Sequence, residues 1–453
     1  MNGRVAWMGL APVWRAGDIF RMNLLYSNDR PGVHAPSWYA ATATPSPDRP
    51  PLEGDEKVDI AIVGAGYTGL SAALHLATAG YKVAVLEAHR AGWGASGRNG
   101  GQLGTGQRVE QADLEEKVGQ AHARQLWDLA MEATDTAKSL IRQHNIDCDL
   151  QPGIIHTLHK ARYLPDARHE VDFMADRYGY SMDYLDKAAL REIVDSPAYH
   201  GGVVDPGGSH LHPLNYALGL ATAAENAGAE IYESSEVIEV AEGADITLKT
   251  AKGTLTASQV LLACNGYLGD LNLNVSGHVM PINNFIIATE PLDESLAQRV
   301  IANGMAVADS KFVVNYYRLS RDRRLLFGGR ESYGYRFPND IKGFVRKAMM
   351  AIYPYLVDTR IDYGWGGTLA ITMNRLPYLR RLKPNLYSAS GYSGHGVAMA
   401  TLSGKLVAEA MQGQAEKFDV MARIETPGFP GGPAFRSPLL VLAMLWYTLR
   451  DRL

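Results

Sequence analysis

Gly64-Ala65-Gly66-Tyr67-Thr68-Gly69 sets three glycines at GxGxxG spacing, and Glu87 follows 18 residues after the last of them. Each position has its own task in holding a pyrophosphate. Gly64 permits a tight turn, Gly66 lets the backbone approach the phosphates, and Gly69 lets a helix pack closely on the preceding strand. A helix starting here, with Ala65 and Thr68 at its head, offers free N–H groups and a positive dipole end to the anion. Glu87, with Ala88 beside it, would accept hydrogen bonds from ribose hydroxyls. Such a hexapeptide is a weak signal until its flanks are read. VDIAIVGAG from Val58 reads as a buried strand, Tyr67 to Ala79 as a helix stopped by Gly80, and Lys82 to Ala88 as a second strand. This is a βαβ unit, expected to be parallel and right-handed.

The continuation decides which dinucleotide fits. HRAGWGASGRNGGQLGTGQ follows Glu87-Ala88 and supplies a second glycine-rich loop at 92–106. A nicotinamide dehydrogenase has no general need of it, whereas an extended FAD needs backbone donors along its ribityl chain and near its ring. Arg98 in this loop could neutralise phosphate charge. A third glycine-rich turn, SGYSGHG, precedes an expected helix over Val397–Gln412. The start of that helix, around Gly396–Val397, would aim backbone donors at the charge left near N1 and the C2 oxygen of a reduced flavin. His395 is a candidate base, although an imidazole that caps or orients the loop is the weightier reading.

Candidate substrate-facing residues come from the strand-rich segment 279–336 and from GWGGT. Tyr317, Arg318 and Arg330 lie where a pocket floor is expected, and an arginine there could hold a substrate carboxylate bidentately. Trp365 could wall the site and favour an apolar or cationic chain. Each has a plainer alternative, a surface arginine or a core aromatic. No Ser/His/Asp set stands out, and the thirteen histidines show no metal-ligand spacing, so no metal is expected.

Bulk properties narrow the class. Lysine and arginine total 44 against 48 acids, for a net charge of −4, which gives no reason to expect a nucleic-acid partner. Cys148 and Cys264 are too few and too far apart for a disulfide framework, and read as reduced thiols in a cytoplasmic protein. The apolar run Leu439–Trp446 is about half the length of a bilayer span. With Arg450 and Arg452 it could form a membrane-docking helix, which would suit electron transfer to a quinone. Packing on the protein's own surface is the plainer alternative. Met22 offers a second plausible start, and Met1 to Leu25 does not read as an export signal.

The expected architecture is α/β: a Rossmann-like FAD-binding domain with an interleaved α+β substrate domain on an antiparallel sheet. The segments are an extension and proline-rich extended arm at 1–55, FAD-binding portions at 56–115, 198–284 and 362–425, a mainly helical substrate portion at 116–197, a substrate sheet at 285–361 and a C-terminal arm and helix at 426–453.

The fingerprint at 64–69, Glu87, GASGRNGGQ at 94–102 and GYSGHGVAMATLSGKLVAE at 391–409 resemble the D-amino-acid-oxidase-like flavoprotein superfamily. SWYAATATPSPDRPPLEG, RLLFGGRESYG and PLLVLAMLWYTLRDRL look most like its γ-glutamylputrescine oxidoreductase branch. The resemblance implies that Gly64, Gly66, Gly69 and Glu87 hold the ADP half, and that Ser96, Arg98, Asn99, Gly100, Gly101 and Gln102 line the path to the flavin. Val237 would meet adenine, and Gly391 through Gly394, His395, Gly396 and Val397 would meet the pyrimidine edge. It implies non-covalent FAD, since neither cysteine falls in a matching attachment loop. It also implies oxidation of an amine C–N bond by hydride transfer to flavin N5, followed by hydrolysis of the imine. A γ-glutamylated amine is favoured as substrate, and N-substituted or D-amino acids are the alternative. The acceptor is oxygen or a quinone. A non-catalytic FAD-binding redox sensor is the competing class.

Overall fold

Val58 to Val63 is apolar at nearly every position, and a strand of that kind must be covered on both faces. The computed structural model, which describes residues 23–332 and 334–430, shows how this is achieved. Ile60 and Ile62 face one core, whereas Val58, Ala61 and Val63 face another. The strand spans Gly54–Val63 and is parallel to Val83–Leu86 on one side and to Gly253–Leu262 on the other. Glu230–Tyr232 extends the sheet beyond Val83–Leu86, and Leu386–Ser390 extends it beyond Gly253–Leu262. The chain therefore leaves the first strand on one side and returns on the other. The crevice at its carboxyl end is the topological switch point where open α/β sheets bind ligands.

Three helices cover one face: Tyr67–Thr78, Pro213–Asn226 and Gly396–Met411. Gly404 lets the last of these approach the first, since a Cβ there would stand 2.3 Å from the Thr68 carbonyl oxygen. The antiparallel pair Glu239–Ala241 and Ile246–Lys249 completes the first sheet. The turn after Lys249 leads into the long strand Gly253–Leu262.

The second sheet runs in the order Ile361–Ile371, Met280–Pro291, Arg324–Ser332, Tyr316–Leu319, Ala306–Asp309, Gln151–Leu158, Gly201–His210, Gln102–Leu103. It is antiparallel except where Ala306–Asp309 lies parallel to Gln151–Leu158. Helix Ile341–Ile352 packs Val345, Met349 and Ile352 against Phe285, Ile287 and Phe327 of this sheet. The α/β architecture with two interleaved units is the expected one.

Its segment limits need correction. Gly201–His210, assigned to the FAD-binding portion 198–284, pairs with Gln151–Leu158 in the second sheet. That second strand and Asp183–Leu185 interrupt the segment expected to be mainly helical. Met280–Pro291 and Ile361–Ile371 pair over most of their lengths, so the limits at 284/285 and 361/362 cut through one ladder. The arm is not wholly extended, because Ser37 caps a short helix at Trp38–Thr42 that buries Trp38 and Tyr39. Residues 1–22 and the expected C-terminal helix within 431–453 lie outside the described residues. Among the described residues, no helix is long and apolar enough to cross a membrane.

Candidate active site

A cavity of about 1830 Å³ opens at the switch point and continues between the two sheets. That exceeds the roughly 300–1,000 Å³ of an ordinary small-molecule site, so it has room for a large cofactor and a substrate together. Its nucleotide end is made largely of backbone. Gly64 has φ +106°, which favours glycine, and a Cβ there would stand 2.9 Å from the Ala263 carbonyl oxygen. At Gly69 a Cβ would fall 1.9 Å from the Gly64 carbonyl oxygen, which explains how tightly the helix sits on its strand. Gly66 precedes the helix without a side-chain cap, and the Tyr67 N–H donates to Ser96 Oγ at 3.0 Å. The cradle thus leaves room and N–H groups where a pyrophosphate requires both.

Glu87 ends the second strand and lines the cavity. Its carboxylate accepts from the Ala65 N–H at 2.8 Å and the His89 N–H at 3.0 Å. Burial, with nearby Glu233 adding to it, raises its pKa to about 7. Ala88, Ser96, Asn99, Gly100, Gln102 and Val237 line the same cavity, as do Gly64, Gly66 and Thr68. At the third glycine-rich turn, Gly394, His395, Gly396 and Val397 line it as well, with helix Gly396–Met411 starting there uncapped by any side chain. Ala65, Gly69, Gly101 and Gly391 stand behind this surface and shape it through the backbone.

His395 is half-buried and packs beside Gly104, where an added Cβ would lie 2.8 Å from its Cε1. Burial and the charge of Arg108 lower its pKa to about 4, against the effect of a hydrogen bond to the Gly106 backbone. Its Nε2 has no partner among the described residues. The imidazole is therefore neutral at neutral pH.

Five expectations for side chains need correction. Arg98 does not reach into the cavity: its guanidinium donates to Asp29 at 2.6 Å and to the Trp93 and Gly366 carbonyls. Tyr317 points away, stacking on Phe327 and bonding Tyr199 in the core behind the second sheet. Trp365 is buried, donating from its indole N–H to the Arg98 carbonyl and packing on Tyr39. Arg330 is exposed with φ +65° and lies over the Phe344 ring, outside the cavity. Arg318 is also occupied, binding the Leu211 carbonyl at 2.9 Å and the Gly100 carbonyl at 3.3 Å.

The cavity instead takes the strand neighbours Tyr316 and Glu331, one residue from Tyr317 and Arg330. Tyr316 lies against Gly100, where a Cβ would meet its ring at 2.5 Å. Arg108, Lys311 and Arg375 also line the cavity, and none has an ion pair among the described residues. Burial and the like charge of Arg375 push the Arg108 pKa down. Asp309 organises the turn that carries Lys311 and Phe312, accepting from Asn315 Nδ2 at 2.6 Å and from the Asn315 N–H at 2.9 Å. The alternation of strand side chains could have signalled Tyr316; no local motif marks Arg108 or Arg375.

A cradle built for a pyrophosphate, joined to a second glycine-rich wall, is matched by the family described as FAD dependent oxidoreductase over residues 59–410. The chain belongs to this family. It is an FAD-dependent oxidoreductase, and the cradle residues fit the cofactor that the family binds. The probable oxidoreductase OrdL of Rhizobium meliloti is 44% identical over 418 residues, covering 92% of this chain and 97% of that one. The gamma-glutamylputrescine oxidoreductase of Escherichia coli is 39% identical over 422 residues, covering 93% and 99%. Among solved structures, glycine oxidase from Geobacillus kaustophilus superposes with a TM-score of 0.67 at 24% identity, covering 79% of this chain and 95% of its own. At that identity the likeness shows the fold. The flavoenzyme's cavity thus joins a backbone-built nucleotide end to a far end lined by Arg108, Lys311 and Arg375.

Proposed function

We propose that this flavoenzyme oxidises the C–N bond of an amine whose far end carries a carboxylate, with a γ-glutamylated amine such as γ-glutamylputrescine favoured. The observation that carries the reading is the cationic end of the cavity. Arg108, Arg375 and Lys311 line it, and their charges would meet an anionic substrate group. The Escherichia coli relative named gamma-glutamylputrescine oxidoreductase supports it at 39% identity.

Bound FAD would supply the hydride acceptor at N5, leaving a substrate imine whose hydrolysis by water would give an aldehyde and the released amine. The protein's own work is positioning and exclusion of water. Tyr316 and Gly100 press the wall of the site together, and Asp205 accepts from Thr105 Oγ1 at 2.7 Å to fix that wall-lining hydroxyl. His395, with a pKa of about 4, is a weak base and serves to orient its loop and to offer Nε2 as an acceptor. The flavin is held without a covalent bond: Cys148 is in the core, and burial pushes the Cys264 thiol up to about 12. A cytoplasmic setting with oxygen or a quinone as acceptor completes the proposal.

Anaerobic bleaching of the purified yellow protein tests it. γ-Glutamylputrescine should bleach the flavin faster than putrescine, sarcosine, iminodiacetate or D-amino acids. Faster bleaching by sarcosine, iminodiacetate or a D-amino acid overturns the γ-glutamyl assignment in favour of short amino-acid substrates. Fast recolouring on admitting air marks an oxidase, and slow recolouring a dehydrogenase.

A further inference from the structure

Every residue lining the cavity falls between positions 63 and 400 except three: Asn23, Leu24 and Leu25. These three precede the family's matched span of 59–410. Asn23 caps a short helical turn at Leu24–Ser27, accepting the Leu25 N–H at 3.0 Å, and the turn sits over the edge formed by Glu236, Val237 and Ile238. Two side chains of the turn close on one carboxylate. Asn23 Nδ2 donates to Glu236 Oε1 at 3.0 Å, and the Tyr26 hydroxyl donates to Glu236 Oε2.

The segment is held at further points along its length. His89, itself buried, donates from Nε2 to the Leu25 carbonyl at 2.9 Å and accepts the Gly32 N–H at Nδ1. Those two bonds fix a neutral imidazole, and burial lowers its pKa in the same sense. The same residue's backbone N–H binds Glu87 at 3.0 Å, so the ribose-side carboxylate and the segment share one anchor. Asp29 pairs with the buried Arg98 of the second glycine-rich loop at 2.6 Å. Asn28 reaches the other side of the cavity, donating to the Tyr335 carbonyl and accepting the Phe337 N–H, both at 2.8 Å. Trp93 of the same loop donates to the Val33 carbonyl at 2.9 Å.

We propose that residues 23–34 are a cofactor-retention strap: Leu24 and Leu25 cover the adenosine end of the bound FAD, and the strap must lift before the cofactor can leave. Its anchors stand directly behind the cofactor walls: the His89 backbone binds the cavity-lining Glu87, and Arg98 binds the carbonyl of the cavity-lining Trp93. Cofactor binding and strap closure therefore stabilise one another, because a ligand that favours the closed state is held more tightly by it.

The test uses the full chain loaded with FAD. Asn23→Ala combined with Tyr26→Phe removes both hydrogen bonds to Glu236 from exposed positions, where the fold is not at stake. Leu24→Ala combined with Leu25→Ala removes the apolar cover independently. FAD release is followed as the rise of flavin fluorescence on dilution, with the thermal melt as a check on folding. Two lost hydrogen bonds should speed release about tenfold, and the leucine pair by at least as much. In the wild-type protein, chymotryptic cleavage after Tyr26 should slow about tenfold when FAD is added to the apoprotein, since cleavage there requires the strap to open. Folded variants that release FAD at the wild-type rate, or cleavage after Tyr26 that ignores FAD, would overturn the proposal.

Discussion

The two ends of the cavity are built from different materials. At the nucleotide end the walls are glycine backbone and two helix starts, fixed by contacts such as the 1.9 Å that a Gly69 Cβ would leave to Gly64. At the far end they are long side chains, Arg108, Lys311, Arg375 and Glu331, delivered by segments distant in sequence. A backbone wall is rigid and binds what every dinucleotide has in common. A side-chain wall can be rewritten one residue at a time, and substrate choice is expected to reside there.

The sharpest way to break this contrast is at Gly69. Gly69→Ala forces the helix off its strand and should give a protein that purifies without flavin, read as loss of absorbance near 450 nm. Gly80→Ala, outside the cavity, is the control. It has φ +90° but nothing within 4 Å of an added Cβ, so it carries only backbone strain of about 1–2 kcal/mol and should keep its flavin. A yellow Gly69→Ala protein would mean that the close approach is dispensable.

Next in size is the cationic end. Arg108→Ala should lower kcat/KM for a γ-glutamylated amine about 10- to 100-fold, chiefly through KM, the range expected for a lost charge-assisted hydrogen bond. Its flavin spectrum should not change. Arg330→Ala, altered outside the cavity, should leave steady-state kinetics as they are. The reverse ranking would place the anion site on the exposed strand residue.

These two ends were unequally legible. The βαβ unit, the FAD loops and the helix after His395 follow from local patterns, because a glycine that must turn or admit a phosphate does so within a few residues. Gly201–His210 shows where this fails: four glycines and Pro206 mask a strand that only its pairing with Gln151–Leu158 sustains. Tyr317 and Arg330 lie on the strands that line the cavity but on the wrong face, since one step along a strand reverses the side chain. Arg98 looked like a phosphate ligand because its partner Asp29 is 69 residues away. Arg108 and Arg375 carry no motif, and only the closing of the two sheets brings them to one cavity.

A smaller effect separates the ends by pH. Ribose hydroxyls of bound FAD would donate to the ionised form of Glu87, whose pKa is raised to about 7. Binding of FAD must then draw off a proton below that value, so affinity should fall with falling pH by up to about tenfold per unit and level off above it. Titrating apoprotein with FAD from pH 5.5 to 8.5 measures this, and Glu87→Gln should flatten the profile. A profile unchanged by that substitution would assign the proton to another group.

The smallest difference tests the strand face directly. Tyr317→Phe loses one hydrogen bond to Tyr199, 3.3 Å long, in the core behind the sheet. It should cost about 0.5–1.5 kcal/mol of stability, seen in a denaturant melt, with kcat and KM unchanged. Tyr316→Phe loses its bond to Asn284 inside the cavity, yet its ring still presses on Gly100. It should shift KM or the flavin spectrum modestly while the melt stays near wild type. The pair differs by one position and one hydroxyl each, so opposite readouts can only come from the face each side chain occupies. Kinetic damage from Tyr317→Phe with none from Tyr316→Phe would mean that the substrate lies on the other side of the sheet.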